Sequence, residues 1–117
     1  MSVAADAQLD RTLLALADPT RRAILRRLMR KQERVTDLAA PFDVSLNAIS
    51  KHIRVLEQAG LVRRRVAGRE HYLTFDPRPL DAAADWIAAQ RAFWEPRLDA
   101  LEAHLLARAA RPRRPRP

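Results

Sequence analysis

Asn47, Lys51, Arg54 and Gln58 recur at i, i+4, i+7 and i+11, a spacing that lays them in one polar, net positive stripe along a helix. Ser50 lies beside that stripe and Glu57 falls to one side of it. Such groups recognise by hydrogen bonding. Asparagine suits the adenine edge, arginine and lysine suit the guanine edge, and a helix of this diameter fits the major groove of B-DNA. The competing reading is a solvated surface helix with incidental cations, and a single polar face does not decide between the two.

Covalent chemistry has little to work with. Ser50 and His52 stand two apart, so on a helix they point to different sides and cannot form a nucleophile–base pair. There is no Gly-rich phosphate loop and no nucleophile elbow. The expectation is therefore no catalytic residue and no enzyme. The chain has no cysteine, which excludes a disulfide framework and a thiolate metal site and suits a reducing cytoplasm. Asp81 and Asp85 lie one turn apart without a histidine beside them, and His104 reads as a surface or seam residue. A transition metal usually takes imidazole or thiolate ligands, so no metal and no cofactor are expected.

The stripe needs a helix to carry it. Ser45 supplies an N-cap hydroxyl, and Gly60 supplies the left-handed stop. Between them Leu46, Ile49, Ile53 and Leu56 recur as one apolar stripe directed at a core. Upstream, residues 5–17 read as a first helix with Leu9, Leu13 and Leu16. Asp18-Pro19 opens a second helix running to about Arg30, with Ile24, Leu25 and Leu28 inward. Its Arg21, Arg22, Arg26, Arg27 and Arg30 are expected mostly outward. Thr36 is read as the cap of a short third helix, about Asp37 to Ala40, with Leu38 buried and residues 41–44 as the turn that follows.

Past Gly60 the period changes. LVRRRV and HYLTF flank Ala67-Gly68-Arg69-Glu70, which predicts a β-hairpin made basic by Arg63, Arg64, Arg65 and Arg69. His71, Leu73 and Phe75 share one face, where His71 reads as structural, and Tyr72 and Thr74 share the other. A two-stranded hairpin is unstable alone, so it must pack on the helices. Asp76-Pro77 and Pro79 then open a last helix, about 79–107. Leu80, Ala84, Ile87, Trp94, Leu98, Leu101 and Leu105 follow an alternating three- and four-residue spacing along it. That seam is too long for a domain of this size to cover by itself. It predicts a homodimer through Leu80, Ile87, Trp94, Leu98, Leu101 and Leu105, joined by Leu9 and Leu13 of the first helix. A helix folded back on the first helix is the alternative. Trp86 and Phe93 add apolar area, and Pro96 should kink or split the helix near Trp94-Glu95.

The resulting fold class is mainly α with a small β-hairpin (α+β), in one domain over residues 1–107. The 117 residues carry a net charge of +8, which points to a polyanionic partner. Residues 108–117, RAARPRRPRP, contribute five arginines and no acid, which leaves +3 for the rest. This Pro/Arg tail reads as disordered, either adding non-specific phosphate attraction or serving as a solvated end. No apolar run is long enough to span a membrane, and MSVAADAQLD has no signal-peptide pattern, so the expected location is the cytoplasm, associated with the nucleoid.

The combination of LADPTRRAILRRL, then SLNAISKHIRVLEQAGLV, then a basic hairpin ending in Asp76-Pro77, resembles the ArsR-type (ArsR/SmtB) family of winged helix-turn-helix regulators over roughly residues 9–106. The aromatic FWE…RLDALEAHL stretch resembles the branch without metal-binding cysteines. The resemblance implies a winged helix-turn-helix of about five helices and a two-stranded wing. It implies a homodimeric repressor on double-stranded DNA with a dyad-symmetric operator, the fourth helix entering the major groove. By position, Ser45, Asn47, Ser50, Lys51 and His52 would lie at or near the DNA, with Arg54 toward the backbone and Arg64, Gly68 and Arg69 in the wing. Where relatives carry Gln-Pro after the capping serine, this chain has Leu46-Asn47. Leu46 either packs inward with its stripe or touches a thymine methyl, and Asn47 is free to read a base. The trigger is open between a small molecule, a partner protein and protein concentration alone. A protein–protein module that has lost DNA binding is the alternative function. An RNA-binding winged helix is a third reading, weakened by the lack of an aromatic stacking platform.

Overall fold

The structure is a computed structural model and describes residues 2–111. In chain order it contains α1 (Val3–Leu16), α2 (Pro19–Leu28), β1 (Glu33–Arg34), α3 (Val35–Ala39), α4 (Leu46–Gln58), β2 (Val62–Ala67), β3 (Glu70–Phe75) and α5 (Arg78–Ala109). Five helices and a small antiparallel sheet match the fold expected from the sequence. The chain divides at Ala83/Ala84 into two compact units, the second formed, among the described residues, by the remainder of α5. Of the predicted tail, residues 112–117 lie outside the described residues, while Arg108 and Ala109 still belong to α5.

The starts of α1, α2 and α4 have a local cause. Ser2, Asp18 and Ser45 each accept a backbone N–H of the first turn, from Ala5, Arg21 and Ala48. At the end of α4, Gly60 takes a φ of +73°, which a side chain would resist. Its N–H bonds the Glu57 carbonyl at 3.0 Å while the Leu61 N–H bonds that of Leu56 at 3.0 Å, and both leucines are buried. This paired closure satisfies two carbonyls that the helix leaves free.

Of the five arginines expected mostly outward, Arg22, Arg26 and Arg30 are exposed and Arg21 and Arg27 half-buried, and three of them also bind neighbouring helices. Carbonyls at the end of α1 accept from side chains of α2. Arg21 donates to Ala15 O (2.9 Å) and Leu14 O (2.8 Å), and Arg22 donates to Leu16 O (2.7 Å). Arg27 donates to Leu38 O (2.9 Å) at the end of α3 and pairs with Glu33. On the other side of the bundle, Gln8 of α1 donates to Ala59 O (2.8 Å) and so ties down the end of α4.

The hairpin gains a third strand. β1 is two charged residues paired antiparallel to β3, Glu33 with Leu73 and Arg34 with Tyr72, giving the order β1-β3-β2. Two residues carry no readable alternation, so this strand was invisible to periodicity. It also moves the start of α3. The helix leaves the strand directly at Val35, with Arg34 in the cap position and no side-chain capping bond, so Thr36 is not the cap. The core gathers Ala15, Ile24, Leu25, Leu28, Leu38, Ile49, Ile53, Leu56, Ala59, Leu61, Val62 and Leu73. Pro96 does not split α5, which stays assigned as helix through it. Pro96 brings no N–H for the carbonyl one turn back, and the Arg97 guanidinium donates to the neighbouring Phe93 carbonyl.

Candidate nucleic-acid interface

Helix α4 sorts its faces cleanly. Ile49, Ile53 and Leu56 are fully buried, while Asn47, Lys51, Arg54 and Gln58 are all exposed and Ser50 is half-buried beside them. Leu46 departs from its stripe. It is the first residue of α4 and 54% exposed, so it does not pack inward. A residue in the first turn can lie beyond the edge of the core that the following turns cover.

The wing stands next to this face. β2 and β3 pair in register from Val62–Phe75 to Ala67–Glu70, leaving a two-residue loop of Gly68 and Arg69. Gly68 has a φ of +62°, the conformation a tight hairpin loop demands at its first position. Arg65 stacks over the Tyr72 ring directly across the pair, 4.8 Å from its centroid. An open cleft of about 200 Å³ runs between the two elements, lined by Leu46 and Ser50 of α4, Thr36 of α3, and Arg64, Arg69 and Glu70 of the wing among others.

The cations here divide into two groups. Among the described residues, Lys51, Arg54 and Arg69 make no ion pair and no side-chain hydrogen bond, and all three are exposed. Their charge is available to a partner. Arg64 is committed within the chain. Its Nε and Nη2 form a fork on the Glu57 carboxylate of α4 at 3.2 and 2.7 Å, and its Nη1 lies 3.1 Å from His71 Nδ1. Arginine only donates, so His71 accepts at Nδ1. These contacts join β2, β3 and α4.

His52 is placed away from the open face. Its Nδ1 lies 3.3 Å from Arg21 Nη1 and 3.9 Å from Asp18 Oδ1, so it belongs to the α2–α4 contact. The Arg21 backbone N–H, donating to the Asp18 carboxylate at 3.0 Å, holds its pKa below the ordinary value against the opposing effect of burial, helped by the nearby charges of His52 and Arg21. Sequence spacing already sets His52 off the stripe, about 100° round the helix from Lys51, but its partners on α2 could not be read from spacing. Of the predicted seam, Leu80 is half-buried and packs on the core of its own chain. Leu9 is half-buried. Leu13, Ile87, Trp94, Leu98, Leu101 and Leu105 are exposed, and so are Leu14, Phe93 and Leu106. Among the described residues no three His, Asp or Glu side chains gather as a metal site, and no helix is long and apolar enough to cross a membrane.

A capped helix with a polar outer face, preceded by a short helix and a turn and followed by a basic hairpin, defines a winged helix-turn-helix. A helix-turn-helix domain model matches residues 16–65. The HTH-type transcriptional regulator Rv2034 of Mycobacterium tuberculosis is 45% identical over 73 residues, 62% of this chain and 68% of that protein. The transcriptional repressor SdpR of Bacillus subtilis is 32% identical over 62% of this chain and 81% of its own length. The crystal structure of an ArsR family transcriptional regulator superposes with a TM-score of 0.74 at 42% identity, covering 77% of this chain and 93% of that one. The chain belongs to the ArsR family of transcriptional regulators.

Proposed function

We propose that the chain is a homodimeric repressor that binds a dyad-symmetric operator in double-stranded DNA and has no catalytic role. Residues 45–58 enter the major groove, where Asn47, Ser50 and Lys51 meet base edges, and Arg54 and Arg69 hold phosphates. Arg64 acts through Glu57 by fixing the wing, and Ser45 acts by capping the reading helix. One observation carries this reading: Leu46 and Ser50 of α4 line the same cleft as Arg69 of the wing loop, and Lys51 and Arg54, like Arg69 uncommitted among the described residues, are exposed on α4. The likeness to the repressor SdpR supports repression as the outcome of binding.

The dimer rests on α5. Ile87, Trp94, Leu98, Leu101 and Leu105 hold the seam spacing and leave large apolar area wet. Residues 1–107 then serve as one DNA-binding and dimerisation domain, followed by the basic tail. Sedimentation of the whole chain with and without duplex DNA at low salt tests the reading. A dimer that shifts onto DNA supports it. A monomer that ignores DNA favours a protein–protein module.

A further inference from the structure

Helix α4 carries one large apolar side chain that its own core does not take. Ile49, Ile53 and Leu56 are sealed, yet Leu46, at the head of the same stripe, is 54% exposed. The cleft it lines offers it little apolar company. Thr36, Ser50, Arg69 and Glu70 surround it, and Val35 is the only other aliphatic side chain there. Leu46 also sits beside Asn47 in the first turn, the end of a reading helix that meets base edges in a helix-turn-helix.

The major groove exposes one apolar group, the C5 methyl of thymine. We infer that Leu46 packs on a thymine methyl in each half-site, so that thymine at that position is a specificity determinant of the operator. The inference rests on α4 entering the major groove. Polar helix faces read hydrogen-bonding edges; an exposed leucine at the same end adds readout of a group that forms no hydrogen bond. Asn47 then meets the neighbouring base.

Deoxyuridine differs from thymidine only by that methyl and keeps every hydrogen bond, so it isolates the contact. The test is an anisotropy titration of the full chain on its own promoter duplex, repeated with each thymine in turn replaced by deoxyuridine. One thymine per half-site should lower wild-type affinity on replacement by roughly fourfold, the factor for removing one methyl-sized apolar group from a contact. Leu46→Ala should bind the thymine duplex more weakly by at least that factor and be indifferent to deoxyuridine at that position. Leu46 is exposed, so an unchanged melting temperature is expected for the variant. Intact binding with no sensitive thymine, or a variant that keeps the sensitivity, overturns this inference alone. A wild-type chain that binds no duplex overturns the groove reading and this inference with it.

Discussion

At the scale of single residues, the proposed function assigns reading to the open face of α4 and holding to Arg54 and the wing tip. Asn47 and Lys51 are exposed on the helix face, where their chemistry matches base edges. Asn47→Ala and Lys51→Ala should therefore weaken operator binding by roughly 1–3 kcal/mol each and random-sequence binding much less, as gel shifts on both duplexes would show. Arg69 sits on the loop without an intrachain partner among the described residues. Arg69→Ala should weaken both duplexes alike and reduce the slope of log affinity against log salt by about one per lost phosphate contact. Asp18 gives a pH signature of the fold. Its carboxylate, held by the Arg21 N–H, titrates below its ordinary value in the folded chain. The unfolded chain thus takes up the proton first, so the stability from this cap is full above the ordinary carboxylate range and is lost as pH falls through the folded value. Asp18→Asn keeps the cap and should flatten that acid loss, measured by urea unfolding from about pH 6 down to about pH 2.

At the scale of elements, what could be read from the chain depended on how many residues carried each signal. The bounds of α4 were legible because a cap, a 3.6-residue stripe and a glycine stop agreed, although Leu46 lies outside the core that stripe enters. The hairpin was legible from its alternation around Gly68. β1 was not, because pairing of two charged residues is decided by the strand beside it, and that strand also displaced Thr36 from the cap position. The roles of the arginines were illegible for the same reason. Arg21, Arg22 and Arg27 serve carbonyls at the ends of other helices, partners that only the fold brings near. Arg64, placed in the wing by the resemblance, also pairs with Glu57 of α4, a partner that spacing could not show. A double-mutant cycle of Glu57→Gln and Arg64→Ala should show a coupling in operator binding, on the order of 0.5–1 kcal/mol for a partly exposed fork. Additive effects would mean that the wing is set by other contacts.

At the scale of the whole molecule, a single reading helix gives limited specificity, and two held at a fixed spacing give more. The apolar residues of α5 are the natural means of pairing: Trp94, Leu98 and Leu101 remain exposed in the single chain. Leu101→Arg should convert a dimer to a monomer by sedimentation equilibrium and reduce operator affinity, with the thermal unfolding of the helix-turn-helix unit little changed, since Leu101 is outside that unit's core. The central claim, that residues 45–58 read the major groove as a symmetric pair, is tested most directly by hydroxyl-radical and methylation-interference footprinting of the full chain on its own promoter. The account predicts two dyad-related major-groove tracts about one helical turn apart, roughly 10 bp, both lost with Lys51→Ala and Asn47→Ala together. No protection, or a footprint that this double variant leaves intact, would contradict it.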